Sequence, residues 1–137
     1  AFREVQDVNL ENVVSLWKTC ELTRPWNDPY KDIQFARDSA TSAVLVGFLE
    51  ERLVAAVMVG HDGHRGGLYY LAVDPAFQRR GFGKATVAAA EAWLRARGVW
   101  KINLMVRSEN EKAGRFYERL GYAINPVTSF GKSLDRF

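Results

Sequence analysis

Gln78-Arg79-Arg80-Gly81-Phe82-Gly83-Lys84 sets three cations and two glycines where an apolar run ends and a helical pattern begins. The chemistry such a stretch supports is phosphate binding. The first N–H groups of a helix lack internal partners and carry the positive end of its dipole. Gly81 and Gly83 have no Cβ, so an anion can approach those groups closely, while Arg79, Arg80 and Lys84 add charge at the rim. Without a ligand, the same residues make a basic, solvated connection. Two well-known sockets fail. A G-x-G-x-x-G fingerprint needs glycine where Thr86 stands, and GxxxxGK[ST] is absent.

Other reactive side chains are few. Cys20 lies on an apolar helical stripe and reads as a packed hydrophobe, not a nucleophile. His61, Asp62 and His64 in GHDGHRGG could relay a proton through water or hold a metal. The lack of a recognisable third ligand favours a polar hairpin loop, and no metal site is expected.

These residues must be positioned by the elements around them. Leu10, Val13, Val14, Trp17 and Cys20 recur at helical spacing, with Asp7 as the expected N-cap. Asp28-Pro29 opens a second helix, whose inner face carries Ile33 and Ala36. Ala43–Leu49 and Leu53–Gly60 read as a hairpin, and Leu68–Val73 as a third strand. Val87, Ala90 and Leu94 share a face of the helix after the basic loop, with Gly98 at its end. Lys101–Val106 reads as a strand, and a helix from about Asn110 carries Ala113, Phe116, Tyr117 and Leu120 up to Gly121. Two short strands around Asn125-Pro126 are expected to finish the chain. The order ααβββαβαββ predicts an α/β domain over residues 1–137, a mixed central sheet with helices on its faces.

LAVDPAFQRRGFGKA followed by NEKAGRFYERLGY resembles the GNAT superfamily of N-acetyltransferases. Gln78, Gly81 and Gly83 match its [RQ]-x-x-G-x-[GA] signature, and Asn110, Ala113, Phe116, Tyr117, Glu118, Gly121 and Tyr122 match its fourth-helix pattern. RPWNDP and GHDGHRG are similar to segments of a bacterial subgroup. The resemblance implies a single GNAT-type acyl-CoA N-acyltransferase domain using acetyl-CoA. It implies a pyrophosphate on the N–H groups of Arg79 to Lys84, Phe82 included, and a pantetheine arm along Leu71, Ala72 and Val73. Asn110, Phe116 and Tyr117 would complete that cofactor site, although Asn110 could equally cap its helix.

By the same resemblance, a bound amine attacks the thioester directly, a backbone N–H near Leu71 steadies the oxyanion, and Tyr117 protonates the leaving thiol. The acceptor would meet Arg24, Trp26, Asn27 and Asp28, with His64 nearby. Trp26 and Asp28 could seat a cation, or could staple the loop and cap a helix. Some relatives place a glutamate where Met105 stands, others a carboxylate near Gly67. This leaves the base unassigned and argues against a peptide N-terminus, so the expected partner is a small-molecule or peptide amine. The rival reading is a non-catalytic regulatory module that binds coenzyme A.

Composition agrees with a compact domain. Of 137 residues, 47% are hydrophobic and 26% charged, ordinary globular values. A lone cysteine suggests a reducing, cytoplasmic compartment, and Arg3, Glu4, Asp7 and Glu11 break any early apolar signal segment. The Leu53–Gly60 run is too short to span a membrane. The net charge of +3 allows nucleic acid, but Arg79, Arg80, Arg95 and Arg97 lack an interleaved aromatic platform, so none is expected. A monomer or homodimer is expected.

Overall fold

Valine and alanine crowd the middle of the chain because the sheet they form is covered on both faces. The computed structural model describes residues 1–135. Two compact units divide them, one over Ala1–Met105 and one beginning at Val106. In the first, strands β1 (Phe2–Glu4), β2 (Ser42–Leu49), β3 (Arg52–His61) and β4 (Gly66–Val73) form an antiparallel sheet in that order. Helices α1 (Leu10–Thr19), α2 (Pro29–Arg37) and α3 (Phe82–Arg95) flank it. Helix α4 (Glu111–Arg119) belongs to the second unit.

Strand side chains alternate between faces. Val44, Val46, Ala56 and Ala72 share one cluster with Val13, Val14 and Trp17 of α1 and Ile33 and Ala36 of α2. Their neighbours Ala43, Leu45, Ala55, Val57 and Val59 are buried as well, as are Val87, Ala90 and Leu94 of α3. A Cβ added to Gly66 of β4 would lie 2.6 Å from Leu94, so that glycine lets α3 sit close to the strand. Burying each large apolar side chain contributes about 1.5–3 kcal/mol.

The turns follow from local chemistry. Glu50 and Glu51 close the β2–β3 hairpin, with Glu50 at φ 56°. Asp62 builds the next turn by accepting from the N–H groups of His64 and Arg65. Gly98 and Gly121 take φ values of 82° and 95° after α3 and α4.

Several expectations need correction. A first strand, β1, precedes α1 and pairs with β2; three residues are too few to show a period. Asp7 does not cap α1. It starts a 3-10 turn at Asp7–Asn9, and its carboxylate meets Arg37 at 2.8 Å. Lys101–Val106 keeps a strand's alternation, with Ile102 and Leu104 half-buried between exposed neighbours. It nevertheless forms only one parallel bridge, Ile102 to Gly66, and no further ladder with β4 among the described residues. That bridge is the only parallel pairing of the expected mixed sheet among the described residues. The two C-terminal strands are absent among the described residues. Ile124, Val127 and Phe130 are exposed, and within their unit α4 is the sole regular element, so no strand edge is offered for pairing.

Asp28 accepts from the N–H of Tyr30 at 3.0 Å and of Lys31 at 3.4 Å, capping α2 before Pro29. Its loss should therefore be a helix-end effect. Asp28→Ala should cost about 1 kcal/mol in a urea melt, and Asp28→Ser should recover most of it.

Candidate active site

The basic loop starts from β4. Asp74 accepts from the N–H of Ala76 at 2.9 Å and pairs with Arg52 at 3.2 Å, fixing a 3-10 turn at Pro75–Phe77. The chain then reaches Gly81, the N-cap of α3, at φ 86°. Arg79 is also left-handed, at φ 63°. The first helical hydrogen bond runs from Ala85 N–H to Gly81, so Phe82, Gly83 and Lys84 present N–H groups without helical partners. A Cβ on Gly81 would meet nothing within 4 Å, so the space beside these donors is open. Arg79, Arg80 and Lys84 are exposed and enter no ion pair among the described residues. Arg80 lies over the rings of Phe77 and Phe82, at 5.2 and 5.8 Å, which holds its charge beside the loop. Thr86, where a dinucleotide loop needs glycine, is fully buried and donates to Phe82 O at 2.6 Å.

Strand β4 is irregular where it matters. Its register against β3 shifts between Ala56 and Met58, and Tyr70 stands in the left-handed region at φ 57°. Asp74 N–H still pairs with Val54 of the preceding strand, whereas the Val73 carbonyl accepts from Gln78 Nε2 at 3.2 Å and Cys20 Sγ at 3.5 Å. Alternation therefore turns Leu71 and Val73 toward the outer edge and Ala72 toward β3. Beyond Gly66 that edge has no strand partner among the described residues of the first unit. Burial pushes the Cys20 thiol up, which leaves it a neutral packing group.

The structure also joins two residues that the sequence reading passed over. Tyr70 Oη donates to Asp32 Oδ2 at 2.8 Å, and its ring stacks on Trp17 with centroids 4.1 Å apart and planes 14° from parallel. Burial, reinforced by the Asp32 hydrogen bond and charge, drives the Tyr70 phenol well above its ordinary value. One signal was available. Asp32 falls at helical spacing among Pro29, Ile33 and Ala36, the buried stripe of α2. A charge on an apolar stripe asks for a partner.

The remaining candidates are spread out. Arg24 donates to its own loop at Glu21 O and Thr23 O, and Asn27 N–H closes a turn onto Arg24 O. Trp26 is 73% exposed, so it does not staple the loop to the core. His61 Nδ1 accepts from Gly63 N–H, and the turn donors hold the exposed Asp62 carboxyl below its usual range. His64 is exposed on that same turn. Among the described residues, no group of His, Cys, Asp and Glu could hold a metal, and no helix is long and apolar enough to cross a membrane. Arg97 lies 3.6 Å from the Trp93 ring centre, and Arg95 approaches Glu91.

In the second unit, Asn110 caps α4 through Ala113 N–H at 3.1 Å. Tyr117 makes edge-to-face contacts with Phe116 and Tyr122, at 5.0 and 5.6 Å. Burial pushes its phenol up to about 12. It therefore carries its proton throughout the neutral range, but surrenders it less readily than a free tyrosine.

A helix N-terminus of this construction beside an open strand edge offers donors to an anion and to a peptide-like arm, and similarity to known proteins supplies the class. Residues 10–122 match the Acetyltransferase (GNAT) family. Acetyltransferase YE1169 of Yersinia enterocolitica is 42% identical over 132 residues, covering 96% of this chain and 94% of that protein. Acetyltransferase YPTB2753 of Yersinia pseudotuberculosis is 41% identical with the same coverage. The structure of AAC(6')-Iy with the bisubstrate analog CoA-S-monomethyl-acetylneamine superposes with a TM-score of 0.83 at 17% identity, covering 97% of both chains. The chain belongs to the acetyltransferase (GNAT) family. It is an acetyl-CoA-dependent acyltransferase, which sets aside the regulatory-module alternative.

The residues present fit the cofactor: unpaired N–H groups, open space at Gly81 and unneutralised cations suit a pyrophosphate. Gly81→Asn keeps a side chain that tolerates the left-handed region, whereas Gly81→Asp adds a negative charge at the same point. Titration with coenzyme A should show at least a tenfold greater loss for the aspartate, with both variants folded by circular dichroism. Equal affinities would remove the anion from this loop.

Proposed function

We propose that the protein moves the acetyl group of acetyl-CoA to a primary amine of a small molecule, with residues 1–137 acting as one catalytic domain. The observation that carries this reading is the open outer edge of β4 leading directly into the unpaired N–H groups of α3. On this reading the pantetheine arm runs along Leu71, Ala72 and Val73 and meets the outward main-chain groups of Leu71 and Val73, while Ala72 stays paired with β3. Gln78, which already bonds to Val73, fixes the junction. The N–H groups from Arg79 to Lys84 hold the pyrophosphate, and the family resemblance alone adds Asn110, Phe116 and Tyr117 as cofactor-binding candidates. The small acceptor in the AAC(6')-Iy complex supports an acceptor of that class. Arg24, Trp26, Asn27, Asp28 and His64 remain acceptor candidates, with the exposed Trp26 ring the one best placed to meet a ligand. The lone cysteine, kept neutral, suits a cytoplasmic setting.

Acetyl-CoA supplies the activated thioester. The acceptor nitrogen, having lost its ammonium proton to solvent, forms the C–N bond while the C–S bond breaks, and its remaining excess proton passes through solvent to restore the Tyr117 phenol. Leu71 N–H donates to the carbonyl oxygen as charge gathers there. Tyr117 gives its proton to the departing sulfur. A phenol near 12 is a weak acid for a thiolate whose ordinary value is about 8.5, so transfer is favourable only when the sulfur is desolvated as well.

Tyr117→Phe keeps the ring and deletes that proton. Assayed against a panel of amines, it should lower kcat by about 10²–10⁴-fold with little change in the KM for acetyl-CoA. The loss should shrink with an acyl donor whose thiol is more acidic. Because Tyr117 keeps its proton to about pH 11, its ionisation should cause no fall in wild-type rate below that pH. A fully active phenylalanine variant would make Tyr117 a packing residue.

A further inference from the structure

We infer that Asp32, held by Tyr70, is the docking point for the acceptor's ammonium group, and that the enzyme therefore selects cationic amines. The inference deepens the proposed amine transfer and rests on it.

Geometry supplies the first argument. Asp32 projects from the buried stripe of α2, and its Oδ2 is taken by Tyr70 Oη at 2.8 Å. Tyr70 immediately precedes Leu71, whose main chain faces the open edge of β4. The bond thus ties a half-buried carboxylate to the strand along which the thioester is proposed to lie.

Charge supplies the second. Three ion pairs occur among the described residues, Arg37–Asp7, Arg52–Asp74 and Arg95–Glu91, and none includes Asp32. Arg37, the basic residue in the last turn of its own helix, is spent on Asp7. Asp32 is half-buried in the first turn of α2, and among the described residues its side chain is met by the helix N-terminus and the neutral Tyr70 phenol but by no cation. A ligand ammonium would supply the missing charge and its hydrogen bonds together.

Construction supplies the third. Tyr70 is held at φ 57° by a stacked, fully buried Trp17 on one side and by Asp32 on the other. Strained residues fixed from two directions are characteristic of binding sites, and here the strain aims a polar pair.

The test uses three substitutions, with Asp32→Glu as the conservative control. Asp32→Asn keeps an oxygen for Tyr70 and removes the charge; Tyr70→Phe keeps the charge and removes the bond. With saturating coenzyme A, calorimetric titration of 1,4-diaminobutane should show wild-type binding. It should weaken roughly 10–100-fold in Asp32→Asn, by a smaller factor of about three in Tyr70→Phe, and should partly return in Asp32→Glu. Affinity for coenzyme A alone should stay within about twofold of wild type in all three. In turnover, Asp32→Asn should raise the KM for cationic amines far more than it lowers kcat. No diamine binding by the wild type, or equal binding by wild type and Asp32→Asn, overturns the inference. Wild-type turnover of amines that is indifferent to Asp32→Asn also overturns it, while leaving the acetyl transfer itself standing.

Discussion

A single residue in the wrong half of conformational space, Tyr70, decides how β4 is used. A bulky residue at positive φ costs of order 1–3 kcal/mol, so it persists only where its surroundings over-determine it. Here the surroundings are a ring stack on Trp17 and a hydrogen bond to Asp32, supplied by two different helices. The arrangement tolerates a second irregularity, since the buried Trp17 Nε1 has no hydrogen-bond partner among the described residues. Both costs fall beside the edge that the cofactor is proposed to occupy, which is where a protein retains strain for use.

The consequences run in two directions from that point. Toward the start of β4, the strand still bridges Ile102 through the main chain of Gly66. Toward its end, the outer edge is free of strand partners among the described residues of that unit, and the chain passes through Asp74 and Pro75 into the loop before α3. Gln78 folds back onto Val73, so loop and edge are joined by a side chain that the cofactor signature already specifies. The loop before α3 and the end of the β4 edge therefore adjoin. The Cys20 thiol donates to the Val73 carbonyl, and Thr86 donates within its own helix. The proposed recognition uses main-chain groups, a role open to an apolar strand such as LYYLAV.

The loop and the fourth helix were legible in the sequence because their chemistry is local. Glycine at φ 86°, aspartate before proline, and apolar residues at helical intervals each act within a few neighbours, and each took its expected place. The Lys101–Val106 alternation was legible in the same sense, although the pairing it suggested depends on where β4 goes.

What the sequence determined by itself was the family, the basic loop at the head of a helix, and the covered valine-rich sheet. These follow from spacing and from residue types whose preferences hold in any context. Tertiary structure alone decided that Asp32 meets Tyr70 across 38 positions, that Trp17 holds the ring, and that Asp28 is occupied as a cap while Trp26 is free. It also decided that β4 should part from Ile102 after one bridge. Each of these depends on contacts between residues far apart in the chain, for which periodicity and local propensity carry no signal.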